Sequence, residues 1–230
     1  YNDRGVPVRF TWTNSLLEEK HIYDTYCNLI LKEADNGMNQ VLVNRPVLEE
    51  YIRRQYPGFK LISSTTKRIT GLDGLLEELN KDYFLVVLDY DLNHNEEVLS
   101  AIGKQADKVE ILVNEICYPG CPKRSEHYRQ QSQMQLEYDI DAAFPCPNKT
   151  RERKFEECKE RPSFISREQI REYADRGFVN FKIVGRGMPM DFVKESYLYY
   201  LVKDDSRAFI RNKMESTLNQ FAQAMRKRKA

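Results

Sequence analysis

Short apolar, β-prone runs alternate along the chain with longer stretches whose apolar residues recur at helical spacing. The first run, Val6-Pro7-Val8-Arg9-Phe10-Thr11-Trp12-Thr13, reads as a strand. A helix is predicted over 16–35, where Leu17, Tyr23, Cys27, Ile30 and Leu31 share one face and Asn36-Gly37 supplies the stop. Residues 40–44 form a short buried strand, 46–56 a helix ended by Pro57-Gly58, and 59–64 another strand. A helix over 71–79 leads into 83–88, which is apolar on both faces as a buried parallel strand should be. A helix over 95–105, a strand over 108–113 and a long irregular stretch over 114–162 follow. A Ser-x-x-Gln start, close to a capping box, opens a helix over 166–176. The last strand is 181–184, and 191–202 and 205–228 are the final helices.

Strand and helix alternating at such short intervals predict right-handed βαβ units and a parallel sheet, hence an α/β protein of the β/α (TIM-like) barrel type. About six strands are legible where a closed barrel has eight, so the barrel is expected to be incomplete or to lack its first strand in this chain. Residues 1–230 read as a single barrel-like domain with a cysteine-bearing insertion at about 114–162. The alternative is a doubly wound open sheet. No Gly-x-Gly-x-x-Gly follows a strand, which removes that fold's usual nucleotide signature.

Composition narrows the function classes. Thirty-six Lys and Arg against 35 Asp and Glu leave a net charge of +1, a balance that argues against a dedicated nucleic-acid binder. The local exception, Arg226-Lys227-Arg228-Lys229, suits the C-terminal end of a helix. No apolar run approaches the roughly 20 residues needed to span a membrane, and no signal peptide is visible. Five cysteines, an odd number, fit reduced thiols or a metal site better than a disulfide framework. A cytoplasmic protein with no membrane partner is expected. Its substrate is unnamed, and a homo- or hetero-oligomer remains open.

In parallel α/β folds the functional site lies at the carboxyl ends of the strands, and those ends are polar here. They carry Thr11 to Asn14, Asn44-Arg45, Ser63 to Lys67, Asp89-Tyr90-Asp91, Asn114-Glu115-Ile116-Cys117, and Lys182 followed by Gly185-Arg186-Gly187. Each alone is also what a cap or a turn would show, and only their coincidence around one rim favours a pocket. Cys117 and Cys121 flank Tyr118-Pro119-Gly120, a turn that can bring two thiols together, and Cys146 and Cys158 follow in the long insertion. Four thiolates can hold an iron–sulfur cluster or a tetrahedral zinc. Buried free thiols, or a disulfide formed on oxidation, fit the same pattern. Cys27 is expected in the core. His127 is a candidate ligand or proton donor, with an ordinary loop histidine as the plain reading. Asp89, Asp91 and Glu115 are the candidate acid/base carboxylates.

Several of these segments resemble the collagenase-like peptidase family, which includes proteins implicated in tRNA hydroxylation and in oxygen-independent ubiquinone hydroxylation. Gly37-Met38-Asn39-Gln40-Val41-Leu42-Val43-Asn44, continuing through Leu48 and Pro57 to Leu61-Ile62-Ser63-Ser64-Thr65, is similar to that family's repeated strand, helix and "S-T" strand. Val109 to Cys117 looks like its strand leading into the first cysteine, and Phe181-Lys182-Ile183-Val184-Gly185-Arg186 like its Lys-Ile-Glu-Gly-Arg segment. The likeness spans roughly residues 37–200. It implies a β/α-barrel-like fold and a 4Fe-4S cluster on Cys117, Cys121, Cys146 and Cys158. The chain departs from the pattern in three places. Asn114-Glu115 stands for the usual His-Gly, Val184 for the acidic residue, and the first cysteine pair is closer and the second wider.

Two classes of function follow. In the first, an enzyme of this family holds its substrate over the strand ends, with Glu115, Asp89, Lys182 and Arg186 as the catalytic set. Lys182 and Arg186 grip an anionic group, and Asn14, Asn44, Ser63, Ser64 and His127 contact the substrate. The hydrolase label comes from the resemblance, since no nucleophile–base pair is legible. In the second, the cysteines pin the insertion around zinc, or around no metal at all, and the rim binds a ligand without chemistry.

Overall fold

The computed structural model describes residues 1–139, 144–146 and 153–227. Six strands, β1 (Arg9–Trp12), β2 (Gln40–Val43), β3 (Lys60–Ser63), β4 (Leu85–Val87), β5 (Val109–Leu112) and β6 (Asn180–Lys182), pair in parallel in the order in which they occur along the chain. A doubly wound sheet reverses direction partway across, so this order excludes the alternative topology. Nine helices are described: α1 (Thr25–Ala34), α2 (Pro46–Gln55), α3 (Leu72–Leu79), α4 (Glu96–Ile102), α5 (Arg124–Glu137), α6 (Phe155–Lys159), α7 (Arg167–Asp175), α8 (Met190–Leu201) and α9 (Arg207–Lys227).

Alternation along each strand sorts its side chains onto two faces. Val41, Val43, Leu61, Val86, Leu88, Val109, Ile111 and Val113 point outward and pack against Leu48 and Ile52 of α2, Leu75 and Leu79 of α3, and Val98, Leu99 and Ile102 of α4. The inner face carries its own small cluster of Leu42, Ile62, Leu85, Val87 and Leu112, with Val184 against it. Beside that cluster, Arg9 of β1 places Nη1 2.6 and 2.7 Å from the two carboxylate oxygens of Glu110 on β5. Four inter-strand steps separate these strands, roughly 19 Å along a flat sheet, far beyond the reach of an arginine. The sheet is therefore curled into a half-barrel. Among the described residues β1 and β6 do not pair, so the barrel is open.

Local sequence accounts for most element ends. Pro46 occupies the first turn of α2 after an extended Arg45. The Ser166–Gln169 capping box that opens α7 is formed in both directions. Three expectations are corrected. The helix predicted over 16–35 is confined to α1, because Asp24 caps it by accepting the Cys27 amide at 2.7 Å. That shift leaves Cys27 exposed rather than in the core. Part of the insertion expected to be irregular is helical, as α5 and α6. Helix α5 has no apolar stripe, and the residues it buries are Arg124 and Ser132, so periodicity could not reveal it. Among the described residues no helix is long and apolar enough to cross a membrane. Arg228 and Lys229 of the basic tail lie outside the described residues.

One buried charge ties β3 to the helical layer. Glu78 of α3 accepts hydrogen bonds from the Ser63 hydroxyl at 2.5 Å, Lys67 Nζ at 2.6 Å and Lys81 Nζ at 2.8 Å. Burial alone would raise this carboxyl, but the three donors outweigh it and hold it at about 2. Glu78→Gln is expected to destabilise the fold by about 3 kcal/mol in urea unfolding at pH 7, because it leaves Lys67 without its charge partner. The carboxyl is depressed on folding, so its contribution is complete above the unfolded value of 4.5 and is lost as pH falls toward about 2. The gap between wild type and variant should close over that window.

Candidate active site at the strand ends

Helix α5 lies across the carboxyl ends of the strands and separates two cavities, of about 600 and about 470 Å³. Tyr128 and Gln131 of α5 line both, as do Glu115, Val184 and Arg186. The helix is held there by polar contacts. Asn14, just after β1, donates Nδ2 to the Ser132 carbonyl at 2.8 Å and to Gln135 Oε1 at 3.1 Å, and the Ser15 amide donates to Ser132 Oγ at 2.9 Å. Arg124, only 7% exposed, lies 4.6 Å from the Tyr90 ring centre, 4.8 Å from that of Tyr128 and 3.4 Å from Glu115 Oε2.

The exit from β6 is built by Asn114. Its Oδ1 accepts the Val184 amide at 2.6 Å and its Nδ2 donates to the Val184 carbonyl at 3.0 Å, extending the β5–β6 pairing through a side chain. Gly187 then takes a left-handed φ of 70°, which costs a residue with a Cβ. The turn sets Arg186 at the wall shared by the two cavities. Arg186 makes no hydrogen bond or ion pair among the described residues. Lys182 lines the larger cavity with Nζ 3.8 Å from Glu110 Oε2. Burial holds its amine below the usual lysine range. Arg9 and Arg186 add to that effect and Glu110 opposes it.

The remaining expected residues divide between the cavities and the scaffold. Glu115 lines both cavities, and its carboxylate accepts the Cys117 amide at 3.0 Å. Ser64 lines the larger cavity and hydrogen-bonds Thr66 Oγ1 at 2.9 Å. Asn44 donates to the same Thr66 oxygen and does not line either cavity. Ser63 points outward to Glu78. Asp89 is buried away from both cavities and accepts two 2.7 Å bonds from Arg68, whose other nitrogen meets Asp91 at 2.6 Å. Burial pushes the Asp89 carboxyl up to about 6, partly offset by Arg68. Arg68 itself adopts a left-handed φ of 59°, a strained position for a non-glycine residue that the two ion pairs offset. His127 lines the smaller cavity, stacked on Phe144 at 4.5 Å, and burial beside Arg124 and Arg153 holds its imidazole below the usual value.

Cys117, Cys146 and Cys158 line the smaller cavity, while Cys121 is not part of its wall. Cys158 packs with Phe155 and Phe192, and burial pushes its thiol up to about 12. Among the described residues no three histidine, cysteine or acidic side chains stand close enough together to hold a metal ion. The thiols thus gather at one cavity without closing on one point, and parts of the connecting segment, 140–143 and 147–152, lie outside the described residues. Among the wall residues that the sequence did not single out, Arg124, Tyr128 and Gln131 belong to α5. Their only signal was the length of the insertion.

No family model matches the chain. The uncharacterized protease MJ1657 of Methanocaldococcus jannaschii is 27% identical over 184 residues, covering 77% of this chain and 54% of that protein. The chain therefore spans about half the length of the curated relative it matches. The solved structure of the U32 peptidase Mk0906 shares the fold, with a TM-score of 0.55 at 22% identity over 82% of this chain and 73% of that one.

Glu115 is the one ion-pair partner of the buried Arg124 among the described residues. Glu115→Gln should cost about 3 kcal/mol of stability by urea unfolding, since it strands that charge. An unchanged midpoint would mean that the Tyr90 and Tyr128 rings alone sustain Arg124.

Proposed function

We propose that this chain, similar in sequence to an uncharacterized protease and in fold to a U32 peptidase, is a distant relative of the collagenase-like (U32) peptidases and an enzyme whose substrate occupies the larger cavity over the strand ends. The observation that carries this reading is the pairing of Lys182 and Arg186 at one cavity wall. Glu110 is engaged on both oxygens by Arg9, and Arg186 has no acidic partner among the described residues. A net positive wall in a half-enclosed cleft favours an anionic substrate, of which acidic peptides and RNA-type ligands are the classes the resemblance brings in. Arg186 is the anion anchor, Lys182 the amine beside the reacting group, and Glu115 the acid/base group facing them. Ser64 and Asn14 line the same space.

Hydrolysis through a protein nucleophile finds little support. Among the described residues no serine, threonine or cysteine side chain is hydrogen-bonded to a histidine. The histidine contacts are Glu18 for His21, Tyr173 and Phe164 for His94, and the Phe144 ring for His127. A reaction other than nucleophilic peptide cleavage is therefore the better reading of this site.

For the thiols, the reading is a 4Fe-4S cluster on Cys117, Cys121, Cys146 and Cys158, with zinc as the second candidate. It is supported by the soft donor set and by the cavity that three of the four share. The absence of a closed group among the described residues stands against it, so no step of the reaction is assigned to the group. Such a cluster would supply electron transfer or structural pinning of the insertion.

Two measurements test these readings. Thermal shift and calorimetry with short acidic peptides, ribonucleotides and small carboxylates should find a binder whose affinity falls roughly tenfold or more in Arg186→Ala. Binding indifferent to Arg186, or none across the panel, sinks the anionic-substrate reading. Iron, sulfide and zinc analysis of anaerobically purified protein should return iron and sulfide that disappear in Cys117→Ser. Stoichiometric zinc would select the second candidate, and neither metal would overturn both.

A further inference from the structure

Lys182 is the only lysine among the described residues that line the larger cavity. It rises from the inner face of β6, where Leu42, Leu112 and Val184 form the adjoining apolar wall. Its nearest carboxylate is already spoken for. Arg9 approaches both oxygens of Glu110 at 2.6 and 2.7 Å, which leaves Nζ at 3.8 Å, beyond hydrogen-bond reach. The other charged group bearing on it, Arg186, is also cationic. Burial and two guanidiniums against one shared carboxylate raise the share of free amine above that of an exposed lysine, and the free amine is the nucleophile. Its ion pair with Glu110 is therefore the longer one, the short contacts of that carboxylate going to Arg9.

We propose that Lys182 is a covalent amine for a small oxo acid, with Arg186 holding the carboxylate of that acid. This deepens the reading of the larger cavity as a substrate site and rests on it. Lys182 Nζ adds to the carbonyl carbon, forming a C–N bond while the carbonyl π electrons pass to oxygen. Solvent in the open cavity takes the proton that the attacking nitrogen loses, and the alkoxide oxygen takes one up to become a hydroxyl. With one further proton from solvent, water leaves and a protonated imine remains, with no oxidant or reductant consumed. The planar guanidinium of Arg186 matches a carboxylate through two parallel hydrogen bonds, and Leu42, Leu112 and Val184 accept the carbon chain. The imine draws electrons from the adjacent carbon, so the reaction classes it serves are proton abstraction or bond cleavage next to the carbonyl.

The test is reductive trapping on the whole chain. Protein is incubated with pyruvate and sodium cyanoborohydride at pH 7, digested, and mapped by mass spectrometry. A carboxyethyl group is expected on Lys182 first, roughly tenfold faster than on the exposed Lys20, since Arg186 holds the carboxylate of pyruvate beside the amine. Lys182→Arg should abolish that site without altering the melting temperature by more than a few degrees, and Arg186→Ala should slow pyruvate but not the neutral aldehyde propanal. Labelling spread over surface lysines with Lys182 spared overturns the proposal. If pyruvate raises the melting temperature in an Arg186-dependent way but never labels Lys182, the covalent step falls while the anionic-substrate reading stands. If propanal and pyruvate label Lys182 equally, with no effect of Arg186→Ala, the anion anchor falls and the oxo-acid assignment with it.

Discussion

The contact between Arg9 and Glu110 organises this molecule, because it joins the first strand to the fifth across the inside of the sheet. A flat parallel sheet would hold these strands far apart. Curling brings them together and turns the inner face into a concave surface with its own apolar cluster and a buried ion pair beside it. A charge pair in that position contributes little net stability after desolvation, but losing either partner is costly, so it specifies curvature more than it adds strength. By occupying Glu110 on both oxygens, Arg9 also leaves Lys182 incompletely neutralised. The contact that shapes the half-barrel thereby sets the electrostatics of its cavity.

Helix α5 is the second constraint. It is polar on all sides and is docked through Asn14, Ser15 and Ser132 at one end and through Arg124, wedged between two tyrosine rings, at the other. Placed across the strand ends, it divides one mouth into two cavities of different character. The larger carries a lysine and an arginine on its wall, and the smaller gathers three thiols. Glu115 and Arg186 belong to both, which makes them the natural link between events on the two sides.

The central strands were legible in the sequence because a parallel strand buried on both faces must be apolar along its whole length, as Val41-Leu42-Val43 and Leu85-Val86-Val87 are, while the half-buried β1 and β6 were legible from their β-prone residues between turn signals. The helix starts at Pro46 and Ser166 were legible for a similar reason, since caps act locally. The polar strand ends were also visible, but not their directions. Ser63 and Ser64 are adjacent and equally polar, yet pleating sends the first to Glu78 in the helical layer and the second to the cavity. Asp89 was visible as a candidate carboxylate, but not its burial against Arg68, a residue that no pattern singled out.

Sequence by itself determined the parallel α/β class, the number and place of the strands, and the end of the sheet at which chemistry-bearing residues collect. These follow from local propensity and from which stretches can be buried, both properties of short segments. Tertiary structure alone decided how the six strands curl, that α5 exists and partitions the mouth, and that Lys182 stands beside a carboxylate taken by another residue. Each of these depends on a contact between residues far apart in the chain, Arg9 with Glu110 or Asn14 with Ser132, whose energy no local pattern carries.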